Sequence, residues 1–129
     1  MIYRAIAVAE SEQVRLFLQR LGWGRRVDDP ERFRLLIANS DRTMSAWEGD
    51  QLRGFARALC DEVSNGYVSM VAVDPSCHGQ GIGRELILQL IGTDPRITWV
   101  LRAGKDSREF WSKLGFQPST IAMERLRID

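Results

Sequence analysis

Apolar residues along the chain switch between two rhythms, one that repeats every second residue and one that repeats about every third or fourth. Ile2, Ile6 and Val8 open the chain, and the segment predicts a first strand over Ile2–Ala7. Ser11 follows as a helix cap able to accept a backbone N–H, with Glu12 in the electropositive first turn. Val14, Phe17, Leu18 and Leu21 then recur on one helical face, predicting a core-facing helix that Gly22-Trp23-Gly24 breaks. A second helix begins at Asp29-Pro30, where proline loses nothing by lacking an N–H, and Phe33, Leu36 and Ile37 supply its apolar side.

From Thr43 the period becomes strand-like, with Met44 and Ala46 on one side and Ser45 and Trp47 on the other, up to the turn Glu48-Gly49-Asp50. Leu52–Cys60 reads as the returning strand, Asp61–Gly66 as a loop, and Tyr67–Val73 as a third antiparallel strand before Asp74-Pro75. Ile82, Leu86, Ile87, Leu90 and Ile91 repeat at helical spacing as far as Gly92. Ile97–Leu101 is the next strand. Asp106-Ser107-Arg108-Glu109 has the form of a capping box opening a helix that Leu114-Gly115 closes, and a last strand is expected over Thr120–Leu126. The order β-α-α-β-β-β-α-β-α-β is an α/β (α+β) fold, with helices flanking a mixed, largely antiparallel sheet.

Composition narrows the functions open to such a fold. With 129 residues the chain is expected to be one domain, 1–129, with a core that needs no staples. Lys and Arg number 18 against 17 Asp and Glu, and they are scattered, so no basic stripe argues for nucleic acid. The sequence holds no apolar run of membrane-spanning length and no leader pattern, which predicts a soluble, cytoplasmic protein without a membrane partner. Cys60, expected as a small buried strand residue, and Cys77, expected in a loop, lack metal-ligand spacing, and His78 is the only histidine; no metal is expected.

Candidate chemistry concentrates in the passage from Val71-Ala72-Val73 through Asp74-Pro75-Ser76-Cys77 to His78-Gly79-Gln80-Gly81-Ile82-Gly83-Arg84. A strand there enters a helix through alternate glycines, which bare the backbone N–H groups, and the helix start adds partial positive charge: an anion cradle. A dinucleotide fingerprint would need glycine at Arg84, and a Walker loop would need Gly-Lys-Ser/Thr where Gly83-Arg84-Glu85 stands.

His78-Gly79-Gln80-Gly81-Ile82-Gly83 resembles the pyrophosphate-binding motif of the GNAT superfamily of acyl-CoA-dependent N-acetyltransferases, with His78 in the place of the usual Arg or Gln. Phe110-Trp111-Ser112-Lys113-Leu114-Gly115-Phe116 resembles that family's second signature, Phe-Tyr-x-Lys-Leu-Gly-Phe. The resemblance covers nearly the whole chain. It implies acetyl-CoA as cosubstrate, lying between the strands Val71–Val73 and Ile97–Leu101 where these splay apart, with its pantetheine arm paired to the backbone of Val71 and Val73. The implied cofactor-binding residues are Val71, Ala72 and Val73, then His78, Gly79, Gln80, Gly81, Ile82, Gly83 and Arg84, with Ser107 and Phe110 from the downstream signature.

For the reaction itself, the backbone N–H near Val73 is the candidate oxyanion donor. Trp111 occupies the position of the tyrosine that many relatives use as acid; an indole donates a hydrogen bond but is no general acid at these pH values. Gly104 replaces a common asparagine and Trp99 a glutamate base. Asp61 and Glu62 are candidates for the base or for attracting a cationic amine, Ser69 and Ser107 for holding a water or meeting the thiolate, and Trp23 and Phe33 for stacking the acceptor or filling the core. The resemblance thus implies acetyl transfer from acetyl-CoA to a primary amine, of a small molecule, by direct attack in a ternary complex. The alternatives are acetylation of a protein N-terminus or lysine, and an acyl-CoA-binding module without turnover. A homodimer is the assembly the family suggests.

Overall fold

In the computed structural model, which describes residues 1–128, the β-branched and aromatic runs form a five-stranded sheet. Its strands are β1 (Ile2–Arg4), β2 (Arg42–Glu48), β3 (Gln51–Cys60), β4 (Asn65–Val73) and β5 (Thr98–Leu101), lying side by side in chain order. β1 to β4 are antiparallel neighbours, and β5 runs parallel to β4. Parallel pairing demands a crossover, which helix α3 (Ile82–Ile91) provides. Helices α1 (Ser11–Arg20) and α2 (Pro30–Ala38) cover one face, where Val14, Phe17, Leu18 and Phe33 pack on Phe55, Met70 and Ala72. On the other face α3 and α4 (Arg108–Lys113) bring Ile87, Leu90 and Trp111 onto Ala56, Ala58 and Val68.

A bulge in β4 sets which residues face which layer. Val71 stands opposite Ala56 but Ser69 stands opposite Arg57, so Met70 is an extra residue, and it takes a left-handed φ of 65°. Side chains alternate along a strand, so one inserted residue reverses the parity. Val68 packs on the α3/α4 side before the bulge and Val71 does so after it, while Met70 and Ala72 turn to α1 and α2.

The elements follow the hydrophobic pattern, with corrections where local hydrogen bonding decided otherwise. Residues 120–126 form no strand; Ile121, Met123 and Leu126 are exposed, and among the described residues no neighbouring strand pairs with them. β1 stops at Arg4, because a 3-10 turn at Val8–Glu10 takes up the chain before α1. Ser11 does not cap that helix: its hydroxyl donates to Val8 O at 2.6 Å, and Glu10 is the cap residue. The capping box at residues 106–109 is not formed either; Ser107 is the cap residue and its hydroxyl donates to Gly104 O at 2.9 Å. Asp29 does cap α2, accepting from the N–H groups of Glu31 and Arg32, with Pro30 behind it. Cys60 is half-buried rather than buried, and Cys77 is the buried cysteine, in a 3-10 turn.

Glu10 ties the N-terminal strand to α1. Its carboxylate accepts both Arg4 guanidinium N–H groups at 2.9 and 2.7 Å and the Ala7 N–H at 2.9 Å. The Arg4 bonds first, then the Ala7 bond, lower its pKa from 4.5 to about 2. A carboxyl held lower in the folded than in the unfolded state stabilises the fold above the unfolded value, and that contribution disappears as pH falls through the folded one. Glu10→Gln is therefore expected to cost on the order of 1 kcal/mol at neutral pH, discounted for solvent screening. In urea titrations the difference from the parent chain should shrink steadily as pH falls from 4.5 towards 2.

Candidate active site

β4 and β5 pair only from Asn65–Thr98 to Val68–Leu101, and beyond that β4 has no partner on its β5 side among the described residues. The direction of its open groups follows from one bond. Asp74 N–H donates to Arg53 O at 2.8 Å, so the opposed pair Val73 and Gly54 is one whose own N–H and C=O groups point away from each other. Val73 and Val71, two residues before it, thus turn their main-chain groups into the gap. His78 closes the upper end, its Nε2 donating to Val73 O at 3.2 Å, which puts the ring proton on Nε2.

The loop after β4 is rigid before it becomes open. Asp74 Oδ1 accepts from the Ser76 N–H and hydroxyl at 2.9 and 2.8 Å, and Oδ2 accepts from Arg53 Nη1 at 3.1 Å. The Ser76 N–H bond chiefly, with the Ser76 hydroxyl, keeps the Asp74 carboxyl below its ordinary pKa. Gly79 and Gly81 follow with φ of 81° and 78°, left-handed values that glycine adopts without strain. Gly81 is the cap position of α3 and carries no side chain to cap it, and the first bond back to it comes from Glu85 N–H at 3.1 Å. The N–H groups of Ile82, Gly83 and Arg84 are left for an external acceptor at the positive end of a ten-residue helix. Gly83 serves a different need: a Cβ there would stand 3.3 Å from the Phe110 ring.

Phe110 and Trp111 form the facing wall. Trp111 is 7% exposed and packs edge-to-face against Phe110 and Phe116 at 4.9 and 5.4 Å. Its indole N–H has no partner among the described residues. The whole forms a cleft of about 830 Å³, bounded by the open edge of β4, the glycine loop, the chain after β5 and the start of α4. Trp23 stands at its mouth with the Arg26 guanidinium 4.4 Å over the ring.

The cleft brings together Val71, Val73, His78, Gly79, Gly81, Ile82, Gly83, Arg84, Ser107, Phe110, Trp111 and Trp23. Other sequence candidates lie elsewhere. Asp61 and Glu62 sit in the β3–β4 hairpin, outside the lining. Asp61 accepts the N–H groups of Val63, Ser64 and Asn65 and the Ser64 hydroxyl, which hold its carboxyl far below its usual range. Glu62 is paired with Arg42, and that bond lowers its pKa. Phe33 is buried in the core at 3%, and Ala72 faces the same core. Gln80 is exposed outside the lining, and Ser69 lies beside the cleft, its hydroxyl accepting from Arg57 at 3.3 Å. Arg26 and Met70 join the lining without having been singled out in the sequence. Arg26 is legible only as a neighbour of Trp23; Met70 is aimed by a bulge that has no composition signature.

The sequence profile of the acetyltransferase (GNAT) domain family matches residues 34–118, two thirds of the chain. The chain belongs to the GNAT acetyltransferase family. An uncharacterized ycf52-like N-acetyltransferase of Prochlorococcus marinus is 34% identical over 107 residues, 80% of this chain and 51% of that protein. This GNAT chain thus spans about half the length of the curated relative it matches. Among solved folds, a predicted acetyltransferase of Clostridium acetobutylicum determined with acetyl-CoA superposes with a TM-score of 0.78, at 19% identity over 97% of this chain and 95% of its own. AAC(6')-Iy, determined with the bisubstrate analogue CoA-S-monomethyl-acetylneamine, superposes at 0.75 with 21% identity over 98% of both chains. These likenesses establish the GNAT fold, including the five strands and four helices found here.

Proposed function

We propose that this GNAT chain transfers the acetyl group of acetyl-CoA to a primary amine of a small molecule by direct attack in a ternary complex. The observation that carries the reading is a broken run of unclaimed backbone donors: Val71 and Val73 on the β4 edge and then, past the internally bonded turn 74–78, the glycine loop and the first turn of α3. An extended arm ending in a diphosphate matches that run: the edge strand pairs with the arm and the helix start holds the phosphates. Arg84 and the loop glycines supply the anion contacts, and His78, already bonded to Val73 O, steadies the strand end. In support of a small acceptor, the neighbour AAC(6')-Iy was determined with a CoA analogue joined to acetylneamine.

In the reaction the neutral amine attacks the thioester carbonyl carbon, the C–S bond breaks, and the amine's extra proton passes to solvent. With the diphosphate at the start of α3, the thioester end of the arm comes at the Val71 end of the open edge, so the Val71 N–H is the donor placed to receive the developing oxyanion, in place of the Val73 N–H expected from the sequence. Trp111 donates its free indole N–H to the departing thiolate and never loses the proton, so CoA leaves as the anion. Asp106 is the only carboxylate among the described residues of the lining, and it is exposed.

Labelled acetyl-CoA supplied with a panel of small amines and peptides tests this: label should enter the amines. Label entering peptides at the N-terminus or lysine would make the chain a protein acetyltransferase, and thioester loss that no acceptor raises would make it a binding module. Trp111→Phe keeps the ring and removes the donor. It is expected to lower kcat about tenfold, the cost of one hydrogen bond to a charged group, with acetyl-CoA affinity unchanged. An undiminished kcat would show that the indole N–H takes no part.

A further inference from the structure

The face of the sheet beneath α1 and α2 holds a buried cation that the reading above leaves unused. Arg57, on β3, is 9% exposed, and its Nε donates to Ser40 Oγ at 2.8 Å and its Nη1 to Ser69 Oγ at 3.3 Å. Both partners are neutral. Among the described residues no carboxylate pairs with it, whereas the other buried arginine, Arg15, is held by Glu12. The one carboxylate with an influence on it, after Tyr67, is Asp41, whose Oδ2 accepts the N–H of Cys60 at 2.8 Å. Burial pushes the guanidinium pKa down, and Tyr67 and Asp41, neither of them bonded to it, offset that only in part.

Two donors remain free at this spot. Arg57 Nη2 and the Tyr67 hydroxyl have no hydrogen-bond partner among the described residues. Tyr67 and Ser69 lie on one face of β4, and Ser69 stands opposite Arg57 and directly precedes Met70, whose side chain borders the cleft. Arg57 therefore stands beside the bulge, on the sheet face to which Met70 turns, while Arg57, Tyr67 and Ser69 are not themselves in the lining that Trp23 and Met70 share.

A buried unpaired charge is costly, and a fold that retains one has a use for an anion there. Resting on the acetyltransferase reading, we propose that Arg57 is a specificity residue that binds a carboxylate on the amine acceptor, so that the substrate is a small amino acid rather than a simple amine. Two free donors match the two oxygens of a carboxylate, with Arg57 supplying the charge and Tyr67 the second bond. The acceptor's amine then extends past Met70 toward the gap where β4 and β5 part.

The test compares kcat/KM for the ω-amino acids from β-alanine to 6-aminohexanoate, whose chains are long enough to pass Met70, with that for their carboxamides, with phosphoethanolamine as a third anion class. The acids should be favoured over their amides at least tenfold, even though the amide's amine is less basic and more of it is neutral. Arg57→Gln, which retains a bond to Ser40 and removes the charge, should erase that preference and leave the acetyl-CoA Kd within twofold. Arg57→Lys should keep part of the preference, and it carries the test if the glutamine variant does not fold. Amides used as well as acids, phosphoethanolamine preferred to both, or an Arg57→Gln loss equal for acid and amide would each overturn the proposal. Failure of the parent chain to bind acetyl-CoA would instead sink the acetyltransferase reading on which it rests.

Discussion

Gly81→Asp is expected to weaken acetyl-CoA binding about a hundredfold, while Gly81→Asn weakens it less than tenfold. Position 81 has a φ of 78°, and asparagine and aspartate tolerate that region better than other side chains, so the two variants share the backbone cost. No heavy atom lies within 4 Å of the added Cβ, so neither is excluded by crowding. The two differ in charge. A carboxylate here lies beside the free N–H groups of α3 that the diphosphate is proposed to occupy. Two unit charges about 4 Å apart repel by about 4 kcal/mol at an effective dielectric constant near 20, and partial solvation brings this to roughly 3 kcal/mol, or about a hundredfold. Aspartate is also a good helix cap, so the variant should melt no lower than Gly81→Asn. Titration calorimetry separates the possibilities: undiminished folding with lost binding is the expected pair, and equal affinity for the two variants would place the diphosphate away from this helix start.

That loop was legible in the sequence because its requirements are local. Gly79 and Gly81 are called for by the sign of φ and Gly83 by the approach of one ring, and each condition falls on a residue type that advertises it. The helices were legible for a similar reason, since an apolar stripe such as Val14-Phe17-Leu18 has one sensible place to go. What stayed hidden depends on pairing across the chain. Asp61 and Glu62 look like catalytic carboxylates in sequence, but a turn of backbone N–H groups claims one and Arg42, 20 residues earlier, claims the other. The bulge at Met70 turns the side chains that follow it, and nothing in Ser69-Met70-Val71 announces it. Arg57 reads as one more polar residue in a strand until its partners prove to be two hydroxyls. At residues 120–126 the apolar positions Ile121, Met123 and Leu126 keep no period of two, so no single face is offered to the free edge of β5, and no strand forms there.

Gly66→Ala is expected to cost about 2–3 kcal/mol and lower the melting temperature by on the order of 10 °C, the largest stability loss for the smallest change of side chain. Gly66 faces Trp99 where β4 and β5 still pair, and a Cβ there would fall 2.3, 2.5 and 2.7 Å from three atoms of the indole. Carbon atoms do not approach so closely, so the ring must move. It is not free to do so: the Arg42 guanidinium lies 5.2 Å over it, fixed in turn by Glu62 and by the carbonyls of Leu90 and Ile91 at the end of α3. The backbone at Gly66 is ordinary strand, so the loss is steric rather than conformational. Trp99→Leu in the Gly66→Ala chain should accordingly recover most of the stability. Because β4 and β5 pair over only four residues, loosening one of them also frees the strand that leads into the far wall of the cleft. A ligand that bridges both strands then stabilises the variant in proportion to its concentration, and acetyl-CoA should raise the melting temperature of Gly66→Ala as it does that of the parent. A melting point unchanged by Gly66→Ala would mean that the indole does not stack on β4 and that another contact fixes where the two strands part.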